Sequence, residues 1–125
     1  MTTTALTVAL AACGDPVKGE VEDVVDEYLA ALVEGDGPAA CRHLSPRQRQ
    51  ALAQTARATS CETGAEAVGG RLSGGLRNAV NEAEITVELD GDDRATADIG
   101  GSVVITLEKT GGRWLITQGV SIEAP

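Results

Sequence analysis

Apolar positions along this chain follow two different rhythms. Between Glu20 and Glu34 they recur at Val21, Val24, Val25, Tyr28, Leu29, Leu32 and Val33, the i, i+3, i+4, i+7 spacing of one helical stripe. Glu20, Glu22, Asp23, Asp26 and Glu27 lie mainly off the stripe, several near the N-terminal end, where negative charge is favoured. Gly35-Asp36-Gly37-Pro38 ends the element. A short helix is predicted from Pro38 to His43, carrying Cys41. Ser45-Pro46-Arg47-Gln48 then reads as a capping box, with Ser45 as cap, Pro46 in the first helical position and Gln48 reaching back. The helix it opens runs to about Ala58. Thr59 or Ser60 caps another, which holds Cys61 near its start and continues towards Leu72, weakened by Gly69-Gly70 and Gly74-Gly75.

After residue 83 the period changes to two. Ile85, Val87 and Leu89 alternate with Glu84, Thr86, Glu88 and Asp90, the pattern of a half-exposed strand. Asp90-Gly91-Asp92-Asp93 is a turn. Arg94 to Ile99 alternates weakly, with Ala95, Ala97 and Ile99 on one face, and Gly100-Gly101 breaks it. Val103-Val104-Ile105 is a continuous apolar run, suggesting a strand covered on both sides. Thr110-Gly111-Gly112-Arg113 is a hairpin signal, and Trp114 to Ser121 forms the last strand. Helices followed by an antiparallel meander predict an α+β fold, with the helices packed on one face of a curved sheet.

Composition narrows the physical possibilities. The chain has 125 residues, the length of one domain, and 42% are apolar. There is one Trp, one Tyr and no Phe, so small aliphatic side chains must fill the core. Such a core is only modestly stable without a covalent staple. The formal charge is −9, from 19 acids and 10 bases, which argues against nucleic acid, since phosphate binding needs clustered cations. The acids read either as a solubilising surface or as a face for a cationic or basic partner.

The opening segment is a separate matter. From Ala5 to Ala12 only Thr7 is polar, a run too short to span a bilayer and of the length of a secretory h-region. Leu10-Ala11-Ala12-Cys13-Gly14 resembles a bacterial lipoprotein box. The resemblance implies cleavage before Cys13, diacylglyceryl transfer to its thiol with further acylation (palmitate or a related chain), and anchoring on the extracytoplasmic face of the cell membrane. It divides the chain into a signal peptide (1–12), a lipidated tether (13–19) and a single domain (20–125). The pattern departs in one respect, because Met1-Thr2-Thr3-Thr4 lacks the Lys or Arg that opens such signals. The competing assignment is a buried N-terminal strand with a free core thiol at Cys13.

Export changes the reading of the other cysteines. With Cys13 taken by lipid, Cys41 and Cys61 remain as an even pair that oxidises outside the cytoplasm. A bridge between them closes a loop of about twenty residues and contributes roughly 3 kcal/mol. Free buried thiols and a metal site are the alternatives. Zinc has only His43 as a further histidine, and Cys41, His43 and Cys61 lack paired-ligand spacing. The Asp90–Asp93 turn lacks the ligand series of an EF-hand. Neither a metal site nor a cofactor is predicted.

The stretch "VEDVVDEYLAALVEGDGPAACRHLSP", the cysteine at Cys61 and the ending "DGDDRATADIGGSVVITLEKTGGRWLI" together resemble the nuclear-transport-factor-2-like (cystatin-like) superfamily. More narrowly, they resemble its small lipoproteins from high-GC Gram-positive bacteria. The resemblance spans about Glu20 to Val120. It implies a cone in which the sheet curls around a pocket and the long helix crosses the open side. Large apolar groups of the helix and last strand (Tyr28, Leu32, Trp114 and Ile116) are the candidate ligand-binding residues.

Some members of that superfamily are enzymes, and the ketosteroid isomerases among them pair an oxyanion-stabilising Tyr on the first helix with a protonated strand Asp and a separate Asp base. Tyr28 and Asp98 match the first two positions. Arg47 to Arg57 contains no carboxylate, so the base is missing. His43 is a general-base candidate, or else a surface residue of the short helix. Three readings follow. The first is a non-enzymatic lipoprotein binding a small apolar molecule or a cell-envelope protein. The others are an isomerase, dehydratase or cyclase using Tyr28 and Asp98, and a structural interaction module whose cone is filled by its own side chains.

Overall fold

The computed structural model describes residues 15–71, Asn78, 82–101 and 103–119. The first helix, α1 (Pro16–Glu34), starts five residues before Val21, the first position of the apolar stripe. Asp15 is the reason. Its carboxylate accepts a hydrogen bond from the Val17 amide at 2.8 Å, and Pro16 occupies the first turn, where its missing N–H costs nothing. Lys18 and Gly19, read from sequence as tether, are therefore helical. Gly35 ends the helix in the left-handed region, at φ 73°.

Three shorter helices follow among the described residues: α2 (Gly37–Cys41), α3 (Pro46–Thr55) and α4 (Cys61–Arg71). Asp36 caps α2, Ser45 caps α3, and the Ser60 hydroxyl accepts from Thr63 N at 3.2 Å at the start of α4. The capping box at Ser45 is only half formed. The Ser45 hydroxyl accepts from Gln48 N, but the Ser45 amide is already committed to the Ile116 carbonyl. Gln48 turns its side-chain amide to the Thr117 carbonyl instead, at 2.9 Å. The helix α3 stops at Thr55, short of Ala58, and Arg57 has φ 55°.

The second half is a four-stranded antiparallel sheet in the order β1 (Ile85–Leu89), β2 (Arg94–Ile99), β3 (Val103–Thr110), β4 (Arg113–Gln118). A bulge between Thr106 and Leu107 shifts the β3–β4 register. The β3–β4 turn needs positive φ at both of its residues, and Gly111 (60°) and Gly112 (81°) supply it.

Register sorts the strand residues into two faces. Val87, Ala97, Ile105 and Leu107 share one face with Ala95, Ile99 and Ile116, and all are buried against the helices. The stripe of α1 meets them with Val21, Val25, Tyr28, Leu29 and Leu32. Ala95 and Ala97, both fully buried, have side chains short enough for the long helix to lie close over the sheet. Thr86, Asp98 and Val104 form a row on the opposite face. Val104 is 56% exposed there, so β3 is covered on one side and not on both as its apolar run suggested. The described helices lie on a single face of the sheet.

Candidate functional site

The residue that organises the polar surface is His43. It follows α2, two residues after Cys41, in a segment that lies along β4 as an isolated parallel bridge between Leu44 and Ile116. The Ile116 amide donates to the His43 carbonyl at 2.8 Å, and the Ser45 amide donates to the Ile116 carbonyl at 3.0 Å. Leu44 enters the core completely. His43 lies against α1, 8% exposed, with Nε2 3.4 Å from Glu27 Oε1. The expectation of a surface histidine on a short helix is thus wrong, because β4 pins the backbone there and draws the ring inward.

Two shallow clefts meet at His43. One, of about 270 Å³, is lined by Glu27, Ala30, Ala31, Glu34, Asp36, Ala39, Arg42 and His43. The other, of about 300 Å³, is lined by Glu20, Asp23, Val24, His43, Gly112, Arg113 and Trp114. One wall of both is a single strip of α1 at helical spacing, rich in carboxylates. The facing wall carries Arg42 and Arg113, and the Arg113 guanidinium donates to the Arg42 carbonyl at 3.0 Å. Burial lowers the His43 pKa below its ordinary 6.5, Arg42 and Arg113 push the same way, and Glu27 opposes them. The imidazole is therefore neutral at neutral pH. A neutral imidazole beside a carboxylate can relay a proton, but neither cleft lining includes a hydroxyl or a thiol for it to activate.

The residues expected to line a cone are placed differently. Tyr28, Leu32, Trp114 and Ile116 do come together in one apolar cluster. Tyr28 is 1% exposed, Leu32 2% and Ile116 0%, so all three are closed off from solvent. Of the four, Trp114 is the one that lines either of the two described clefts. The Tyr28 hydroxyl and Trp114 Nε1 are buried without a hydrogen-bond partner among the described residues. Burial holds the Tyr28 phenol far above its usual range.

Asp98 lies on the far face of the sheet and accepts a hydrogen bond from the Gly101 amide at 2.8 Å. Tyr28 and Asp98 are therefore separated by the sheet and form no pair. Cys41 and Cys61 are bonded, with Cα atoms 6.1 Å apart, joining α2 to the start of α4. Cys13 lies outside the described residues.

The cleft is not visible from a sequence reading that ends a short helix at His43. A faint signal was there, since three residues between a bridged cysteine and a capped serine leave little room to swing outward. Comparison with family models, curated proteins and solved structures finds no match to the chain.

Proposed function

We propose that this chain is a lipid-anchored module on the extracytoplasmic face of the membrane, acting by contact with another envelope protein rather than by catalysis. The sealed core carries the reading. With Tyr28, Leu32 and Ile116 at most 2% exposed, a small apolar ligand has no space between α1 and the sheet. An isomerase-type site finds no support, as Tyr28 and Asp98 lie on opposite sides of the sheet. The Cys41–Cys61 bridge supports an oxidising compartment, where such bonds persist. The anchor itself rests on the lipoprotein box ending at Cys13. Helices on one face of a four-stranded antiparallel sheet fit the resemblance to the nuclear-transport-factor-2-like superfamily at the level of α+β layering.

Native mass spectrometry of the protein isolated from bacterial envelopes tests the proposal. The expected species begins at Cys13, carries acyl chains that a Cys13→Ser variant lacks, has the mass of a disulfide, and holds no apolar ligand. An unacylated chain retaining residues 1–12 overturns the anchor. A co-purifying apolar molecule displaced by substitution at Tyr28 or Trp114 overturns the sealed core in favour of a carrier.

A further inference from the structure

The sheet has two unlike edges. That of β4 is closed by backbone bonds to His43 and Ser45 and by the Gln48 side chain on the Thr117 carbonyl. That of β1 pairs with nothing among the described residues. The register fixes which of its groups are left over. The Gly100 amide donates to the Glu84 carbonyl at 2.9 Å, and the Asp90 amide donates to the Arg94 carbonyl at 2.8 Å. Alternation then turns the amides and carbonyls of Glu84, Thr86, Glu88 and Asp90 towards β2. Those of Ile85, Val87 and Leu89 point outward in the plane of the sheet, while their side chains pack in or against the core. These three residues span about 13 Å, enough to receive one short extended segment.

Charge selects the occupant. Glu82, Glu84, Glu88, Asp90, Asp92 and Asp93 are all exposed, and residues 82–93 contain no Lys or Arg. The first cation is Arg94, at the start of β2. A second copy paired β1 to β1 would set these acids against their counterparts, the device by which natural edges resist self-pairing. An extended segment bearing Lys or Arg at alternate positions meets them favourably. We propose that the β1 edge binds such a basic segment of a partner protein by strand addition. This rests on the reading of the chain as an interaction module and names its contact surface and the chemistry of its partner.

The test titrates the ¹⁵N-labelled full-length chain with three synthetic octapeptides. One alternates lysine with valine, one replaces each lysine by glutamate, and one is the lysine peptide N-methylated at the alternate nitrogens that would face β1. The lysine peptide is expected to slow hydrogen exchange at the Ile85, Val87 and Leu89 amides by at least about tenfold, and the other two are expected to leave it unchanged. The doubly substituted Glu84→Lys, Glu88→Lys chain, altered only at exposed side chains, is expected to bind the lysine peptide about tenfold more weakly with an unchanged folded spectrum. Several results overturn the proposal: no binding, equal binding of the N-methylated peptide, or protection confined to the His43 clefts. Protection of the three amides in the free chain, or self-association through β1, does so as well. Any of these leaves acylation of Cys13 to be read from its own mass, and an unacylated chain leaves the peptide titration unaffected.

Discussion

Among the described residues, Tyr28 and His43 are the two titrating side chains that folding places in unusual surroundings. The Tyr28 hydroxyl is buried in the core with no hydrogen-bond partner among the described residues, so it costs desolvation without a compensating bond. Tyr28→Phe keeps the ring and removes the orphan, and is expected to stabilise the fold by about 1 kcal/mol in urea denaturation. Because the folded phenol ionises above its ordinary 10.0, the unfolded chain loses its proton first. Stability should therefore fall as pH rises above 10, and fall less in Tyr28→Phe. Tyr28 is the only tyrosine, so tyrosinate absorbance reports it directly.

His43 has the opposite sign at the other end of the scale. Its folded pKa lies below 6.5, so the unfolded chain gains a proton first as pH falls. The stability it contributes is present above 6.5 and is lost as pH drops towards the folded value. Its imidazole proton resonance should titrate below 6.5, and Glu27→Gln should move that midpoint lower still, since Glu27 is the group holding it up. The burial of both residues differs in origin. Tyr28 sits on a helical stripe that the sequence displays, whereas His43 is drawn in by β4, more than seventy residues later in the chain, a partner that the short span between Cys41 and Ser45 does not name.

Glycines separate local from tertiary information at the level of the element. Gly69 and Gly70 look alike in sequence, and both weaken a helix. In α4 they do different things. A Cβ on Gly69 would run into the Leu32 carbonyl and crowd the Gly35 backbone, whereas a Cβ on Gly70 meets nothing within 4 Å. Gly69→Ala is expected to destabilise by about 2 kcal/mol through overpacking, and Gly70→Ala to stabilise by about 0.5–1 kcal/mol through helix propensity. Paired urea melts check both.

The disulfide ties this region together. Reduction frees a loop of sequence separation 20 and should cost about 3 kcal/mol, visible as a lower urea midpoint in dithiothreitol. Helix and strand identities were legible because stripe, cap and alternation are local signals. The start of α1 was misplaced because Asp15 and Pro16 act through capping before the apolar stripe begins. Gln48 was misassigned because its partner, the Thr117 carbonyl, belongs to the far end of the chain.

Across the whole molecule, the order of elements gave the α+β layering, and the alternation in β1 and β2 gave the buried face. Whether the space between helix and sheet stands open could not be read that way. Tyr28, Leu32, Trp114 and Ile116 are large and apolar whether they line a pocket or fill one, and the difference lies in how closely Ala95 and Ala97 let α1 approach. The clefts at His43 and the unequal sheet edges are likewise products of assembly.

If the proposed anchor at Cys13 holds, the early start of α1 has a mechanical consequence. Only Gly14 separates that cysteine from the Asp15 cap, and a fully extended step of two residues reaches about 7 Å. An acyl group at Cys13 would leave no leash on which the domain could swing. The rigid rod of α1 would emerge directly from the headgroups, and any protein docking with it would have to come to the lipid surface to do so.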